Sequence, residues 1–184
     1  MGLLDGKVAI VTGANSGIGR EVSRVFAREG ATVIVSDVAE SPGADGWEDA
    51  GLTTVEAIQK SGGSAAFLRL DVSDEQAFTD AVAGTVATHG RLDVVVNNAG
   101  VLRAGARLHE YTAADLDFCH AVNTRGAFNG TMAPIRHWLS HEQAGLVLNT
   151  VSTAGINPFR NEGPYALTKA AAAMLVRNVT TSRG

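Results

Sequence analysis

The stretch Val8-Ala9-Ile10-Val11-Thr12-Gly13-Ala14-Asn15-Ser16-Gly17-Ile18-Gly19 decides the fold. It opens on an uninterrupted aliphatic run that ends near glycine, as in a strand covered on both faces. Beyond the turn, Ile18, Val22, Val25 and Phe26 recur at helical spacing until Gly30 stops them. Between strand and helix the glycines are spaced GxxxGxG. Glycine there lets the backbone turn tightly and approach a pyrophosphate, whose charge faces the N–H groups of the helix N-terminus. Gly13, Asn15, Ser16, Gly17, Ile18 and Gly19 are thus candidate cofactor contacts. A plain strand-to-helix turn has the same look, so the flanking sequence has to decide.

Thr32 to Ser36 reads as a second strand, and Asp37 closes it 18 residues after Gly19, close to the roughly 20 expected of a ribose-binding acid. A carboxylate there accepts hydrogen bonds from both ribose hydroxyls and repels a 2′-phosphate. Asn15 and Ser16 are not basic and residue 38 is Val38, so NAD is favoured over NADP. Residues 38–50 are polar and rich in Gly, Pro and Asp, a loop by composition, before a helix over 52–60 that ends at Gly62-Gly63. Ala65 to Leu70 is a third strand, after which Asp71 and Val72 could read an adenine edge with a carboxylate and a backbone amide. Ser73, three residues before Gln76, predicts a capping-box start to a helix reaching about His89. Leu92 to Val96 is a fourth strand. Asn97, Ala99 and Gly100 of the following Asn97-Asn98-Ala99-Gly100 lie at the sheet's carboxyl edge, where open α/β sheets bind ligands. A long helix is expected over 112–139, bent near Pro134. A fifth strand follows from Leu146 to Val151, and a last helix over 163–180. Alternating strands and helices imply parallel strands with helical crossovers, so one doubly wound, Rossmann-like α/β domain over 1–184 with five strands.

Composition excludes several function classes. The chain has 184 residues and carries 19 acidic against 15 basic residues, a net charge of −4, where a nucleic-acid binder would show a basic face. Cys119 is alone, so neither an internal disulfide nor a multi-cysteine zinc site can form, and no metal is expected. No signal peptide or membrane span is legible, and a cytoplasmic protein is the expectation. The 21 glycines exceed the usual ~7%, in keeping with turns that face a ligand.

The chemistry is concentrated in Tyr165-Ala166-Leu167-Thr168-Lys169. A tyrosine and a lysine four apart share a helix face, and an ammonium nearby favours the phenolate of an otherwise weak base. Ser152, at the end of the fifth strand and 13 residues before Tyr165, can converge with it on one carbonyl oxygen. No GxSxG elbow surrounds Ser152, which argues against a hydrolase nucleophile.

The ordered set Thr12-Gly13-x-x-x-Gly17-x-Gly19, Asp71-Val72, Asn97-Asn98-Ala99-Gly100, Asn123, Ser152 and Tyr165-x-x-x-Lys169 resembles the short-chain dehydrogenase/reductase family over residues 6 to about 180. The resemblance implies hydride transfer between a nicotinamide cofactor and a small-molecule alcohol or carbonyl. Tyr165 would be the acid/base and Ser152 would hold the reacting oxygen. Lys169 would favour the phenolate and bind the nicotinamide ribose, and Asn123 would hold a water leading from Lys169 to solvent. It also implies a homo-oligomer built through the two long helices. The family normally continues past this last helix, whereas this sequence stops at Gly184. The fifth strand is therefore expected at a sheet edge with an apolar flank exposed. The alternative expectation is a catalytically weak nucleotide-binding or interaction protein of the same fold.

Overall fold

The computed structural model describes residues 2–41 and 49–181; part of the loop expected at 38–50 lies outside them. Five strands, β1 (Val8–Thr12), β2 (Thr32–Asp37), β3 (Ser64–Arg69), β4 (Val94–Asn97) and β5 (Leu146–Asn149), form one sheet. All of its pairings are parallel, in the order β3-β2-β1-β4-β5. Every residue of β1 is buried. That burial explains why the strand is aliphatic throughout rather than alternating.

Side chains alternate faces along each strand. Val8, Ile10, Ile34 and Val95 enter one core with Phe78 of α3 (Glu75–His89) and Trp138 of α5 (Ala127–Ser140). Ala9, Val11, Val33, Val35, Val94 and Val96 enter the other with Ala27 of α1 (Gly17–Arg28) and Ile58 of α2 (Thr54–Lys60). The remaining helices, α4 (Ala113–His120) and α6 (Gly163–Thr181), pack on each other. Chain direction across the sheet reverses at β1, with β2 on one side and β4 on the other. The loops leaving β1 and β4 diverge there and open a crevice at the carboxyl edge.

One local expectation is corrected. The helix near residue 73 is capped by Asp74, whose side chain accepts from Ala77 N at 3.0 Å. Ser73 is instead held by Asp71, to which both its N and its Oγ donate. The long helix departs from α geometry at Ala121–Gly126, a π-type widening between α4 and α5, and Pro134 lies within α5. Such widenings recur at functional sites, and this one carries Asn123.

β5 lies at the edge as expected, with Leu146 and Leu148 51% and 40% exposed. Among the described residues, no helix is long and apolar enough to cross a membrane. The capping geometry makes a direct prediction. Asp74→Ala should cost about 1 kcal/mol in urea denaturation, and Ser73→Ala distinctly less. The reverse ranking would return the cap to Ser73.

Candidate active site

A cleft of about 730 Å³ runs across the carboxyl edge from the turn after β1 to the start of α6. Its floor is set by side chains exchanged between β1 and β4. Thr12 Oγ1 donates to Val96 O at 3.2 Å and accepts from Asn98 N and Ala99 N at 3.0 and 3.1 Å. Asn98 Nδ2 returns bonds to Thr12 O and Gly13 O at 3.0 and 3.3 Å. Gly19 packs under this lock, since a Cβ there would lie 2.3 Å from Gly13 O and 2.5 Å from Asn98 Nδ2. Gly13 has φ +63°, and its missing Cβ would meet Ala99 Cα at 2.8 Å. Only glycine satisfies both conditions.

The first half of the cleft combines an uncapped helix N-terminus with two carboxylates. Ser16 precedes α1 with no side-chain capping bond, and the first turn of the helix carries no acid. The first-turn N–H groups are therefore left to a ligand. Asp37 accepts from Asn15 N at 3.2 Å and from Val38 N at 2.8 Å. Both Ser73 bonds fall on Asp71 Oδ1, which leaves Oδ2 for a ligand. Ser16, Gly17, Ile18, Asp37, Asp71 and Val72 all line this half.

The other half brings together Ser152, Tyr165 and Lys169. Ser152 caps a short turn, Thr153–Gly155, and its Oγ accepts from Ala154 N at 3.1 Å. That turn sits on α6 closely enough that a Cβ on Gly155 would lie 2.7 Å from the carbonyl of Lys169. The contact carries Ser152 to the face of α6 that holds Tyr165. Lys169 is 5% exposed, donates from Nζ to Thr150 O at 2.8 Å, and lies 5.7 Å from the centre of the Tyr165 ring. Burial holds its ammonium pKa below the ordinary lysine value.

Not every residue expected in the site faces it. Ala99 and Gly100 line the cleft, but Asn15, Gly19, Asn97 and Asn123 do not. Asn97 shares a sheet face with Val95 and points into the core, where Nδ2 bonds Thr131 Oγ1 and Asn149 Oδ1 at 3.2 and 3.1 Å. The asparagine at the cleft is Asn98, which the strand's two-residue alternation could have identified. Asn15 Nδ2 donates to Ala39 O. Asn123 is 2% exposed; its Oδ1 accepts from Val101 N, and its Nδ2 donates to Val101 O and Thr168 Oγ1. Both amide N–H groups serve protein partners, so the side chain ties the loop after β4 to α6. Leu70 and Val122 also line the cleft. No sequence signal marks Val122, because the π-type widening is what delivers it. Among the described residues there is no group of three or more potential metal ligands.

Comparison with known proteins adds a family. The profile of the short chain dehydrogenase family matches residues 7–182. An uncharacterised oxidoreductase of Thermotoga maritima is 36% identical over 174 residues, 95% of this chain and 64% of that protein. A 7alpha-hydroxysteroid dehydrogenase of Escherichia coli K12 is 34% identical, over 98% of this chain and 67% of its own length. Among solved structures, a short chain dehydrogenase/reductase of Burkholderia phymatum in complex with NAD superimposes with TM-score 0.84 at 30% identity, over 97% of this chain and 60% of that one. The chain thus spans roughly two thirds or less of the length of these relatives.

The buried lysine yields a prediction of sign. Burial disfavours the ammonium, so the folded-state pKa lies below the ordinary 10.5, and the wild type gains stability from this group as pH rises through the lowered value toward 10.5. Lys169→Met has no such group and should lack that gain, so the wild-type thermal midpoint should rise relative to the variant's over that window. A gap between the two midpoints that does not change with pH would contradict this.

Proposed function

Because this chain belongs to the short-chain dehydrogenase family, we propose that it is an NAD-dependent oxidoreductase interconverting a small-molecule alcohol and its carbonyl. One observation carries the reading: Ser152, Tyr165 and Lys169 line the same cleft as the glycine turn and Asp37. The residues present fit a dinucleotide. An uncapped helix N-terminus suits the pyrophosphate. Asp37 is placed at the end of β2 to accept ribose hydroxyls, and a 2′-phosphate would meet its charge. When bound, the nicotinamide supplies the hydride acceptor or donor.

The protein's part is placement and proton transfer. Tyr165 takes the hydroxyl proton as an alcohol is oxidised, while the hydride leaves its carbon, and returns that proton to the carbonyl oxygen in the reverse direction. Ser152 Oγ accepts from Ala154 N, so its own proton is left to hold the substrate oxygen. Lys169 has one N–H on Thr150 O, leaving two for the nicotinamide ribose and the charge of Tyr165. Asn123, whose side chain bridges Val101 and Thr168, holds the water that leads from Lys169 to solvent. A non-catalytic reading draws no support from relatives described as oxidoreductases and dehydrogenases. Exposed Phe128 on α5 and Leu167 and Met174 on α6 favour self-association through these helices.

Fluorescence titration should show NADH binding more tightly than NADPH, with Asp37→Ser narrowing the difference by about tenfold or more. Tighter NADPH binding by the wild type would refute the cofactor assignment. Tyr165→Phe should bind NADH as the wild type does, yet lose turnover by roughly 10²-fold or more. Unaltered turnover would remove Tyr165 from the mechanism.

A further inference from the structure

Arg20 is the largest fully buried side chain among the described residues, at 0% exposure in the first turns of α1. A buried guanidinium is expensive unless paired and hydrogen-bonded, so its partners are informative. Nη2 meets Asp49 Oδ2 at 2.9 Å and Leu52 O at 3.1 Å, and Nη1 donates to Thr54 Oγ1 at 3.0 Å. Thr54, also 0% exposed, opens α2. Its hydroxyl passes the bond on, donating to Ala14 O at 2.8 Å.

That carbonyl belongs to the peptide whose N–H is Asn15 N. The N–H donates to Asp37 Oδ2 at 3.2 Å. One peptide plane inside the glycine turn is therefore held at both ends, by Thr54 on its oxygen and by Asp37 on its nitrogen. A rotation of that plane would turn a carbonyl dipole toward the carboxylate. We infer that Arg20 and Thr54 are positioning residues for cofactor discrimination: they orient the Ala14–Asn15 peptide, and through it the Asp37 carboxylate that accepts a ribose and rejects a 2′-phosphate. The inference rests on the dinucleotide reading above. Arg20 and Thr54 do not line the cleft and act only through this chain of bonds. Cooperative hydrogen bonding from a charged donor strengthens each link.

The test uses NADH and NADPH as probes on the full chain, with thermal midpoints recorded alongside. Thr54→Val keeps the shape and removes the hydroxyl. It is expected to raise the NADH Kd by roughly tenfold and to move the NADPH:NADH Kd ratio toward that of Asp37→Ser. Thr54→Ser, which keeps the hydroxyl, should restore both values. Arg20→Met combined with Asp49→Leu removes the ion pair without stranding either charge, should shift the ratio the same way, and decides the matter if Thr54→Val does not fold. A purely structural role would lower the midpoint and leave the ratio of the folded protein untouched, and that result overturns the inference. Wild-type protein that binds neither nucleotide overturns the dinucleotide reading itself.

Discussion

Thr12 and Asn98 lie at the ends of the two central strands, and each satisfies backbone groups of the other's loop. Parallel strands need no such exchange to pair. Here it ties together two loops that diverge where the order of strands turns back, between β1 and β4. The exchange locks the distance between the glycine turn and the loop that carries Ala99 and Gly100. It also leaves so little space that α1 can enter only with glycine at position 19. Two of the spaced glycines, Gly13 and Gly19, are thus packing requirements, and Gly17 lines the cleft.

The same logic governs the opposite wall. The short turn after β5 rests on the backbone of α6 at Lys169, with no room for a Cβ on Gly155. Lys169 in turn reaches back to the end of β5 through Thr150 O. Strand end, turn and helix therefore hold one another. The helix also receives Asn123 through Thr168. Burying the ammonium carries a desolvation cost, which the bond to Thr150 O offsets in part.

Much of this was legible in the sequence because it depends on period and order. The five strands stand out as aliphatic runs, and the doubly wound sheet follows from their alternation with helices. Ser152, Tyr165 and Lys169 meet in one cleft, as their positions at a strand end and on one helix face suggested. What the sequence left obscure depends on competition and on packing. Ser73 and Asp74 are both acceptable caps, and the choice between them turned on Asp71 capturing the serine. Adjacent asparagines look equivalent until strand parity sends Asn97 to the core. Arg20 reads as an ordinary charged residue on a helix, and its burial comes from residues 49–54 folding over it. Val122 reaches the cleft only because the helix widens at Ala121–Gly126.

The central claim is that one continuous cleft holds a dinucleotide across the reversal point, adenine end at Asp37 and nicotinamide end at Tyr165. A crystal structure of the chain with NAD bound tests it most directly. The account predicts the pyrophosphate over the first-turn amides of α1, the adenine-side ribose on Asp37, and the nicotinamide ribose on Lys169. A dinucleotide bound in the reverse orientation, or away from the turn after β1, would contradict it.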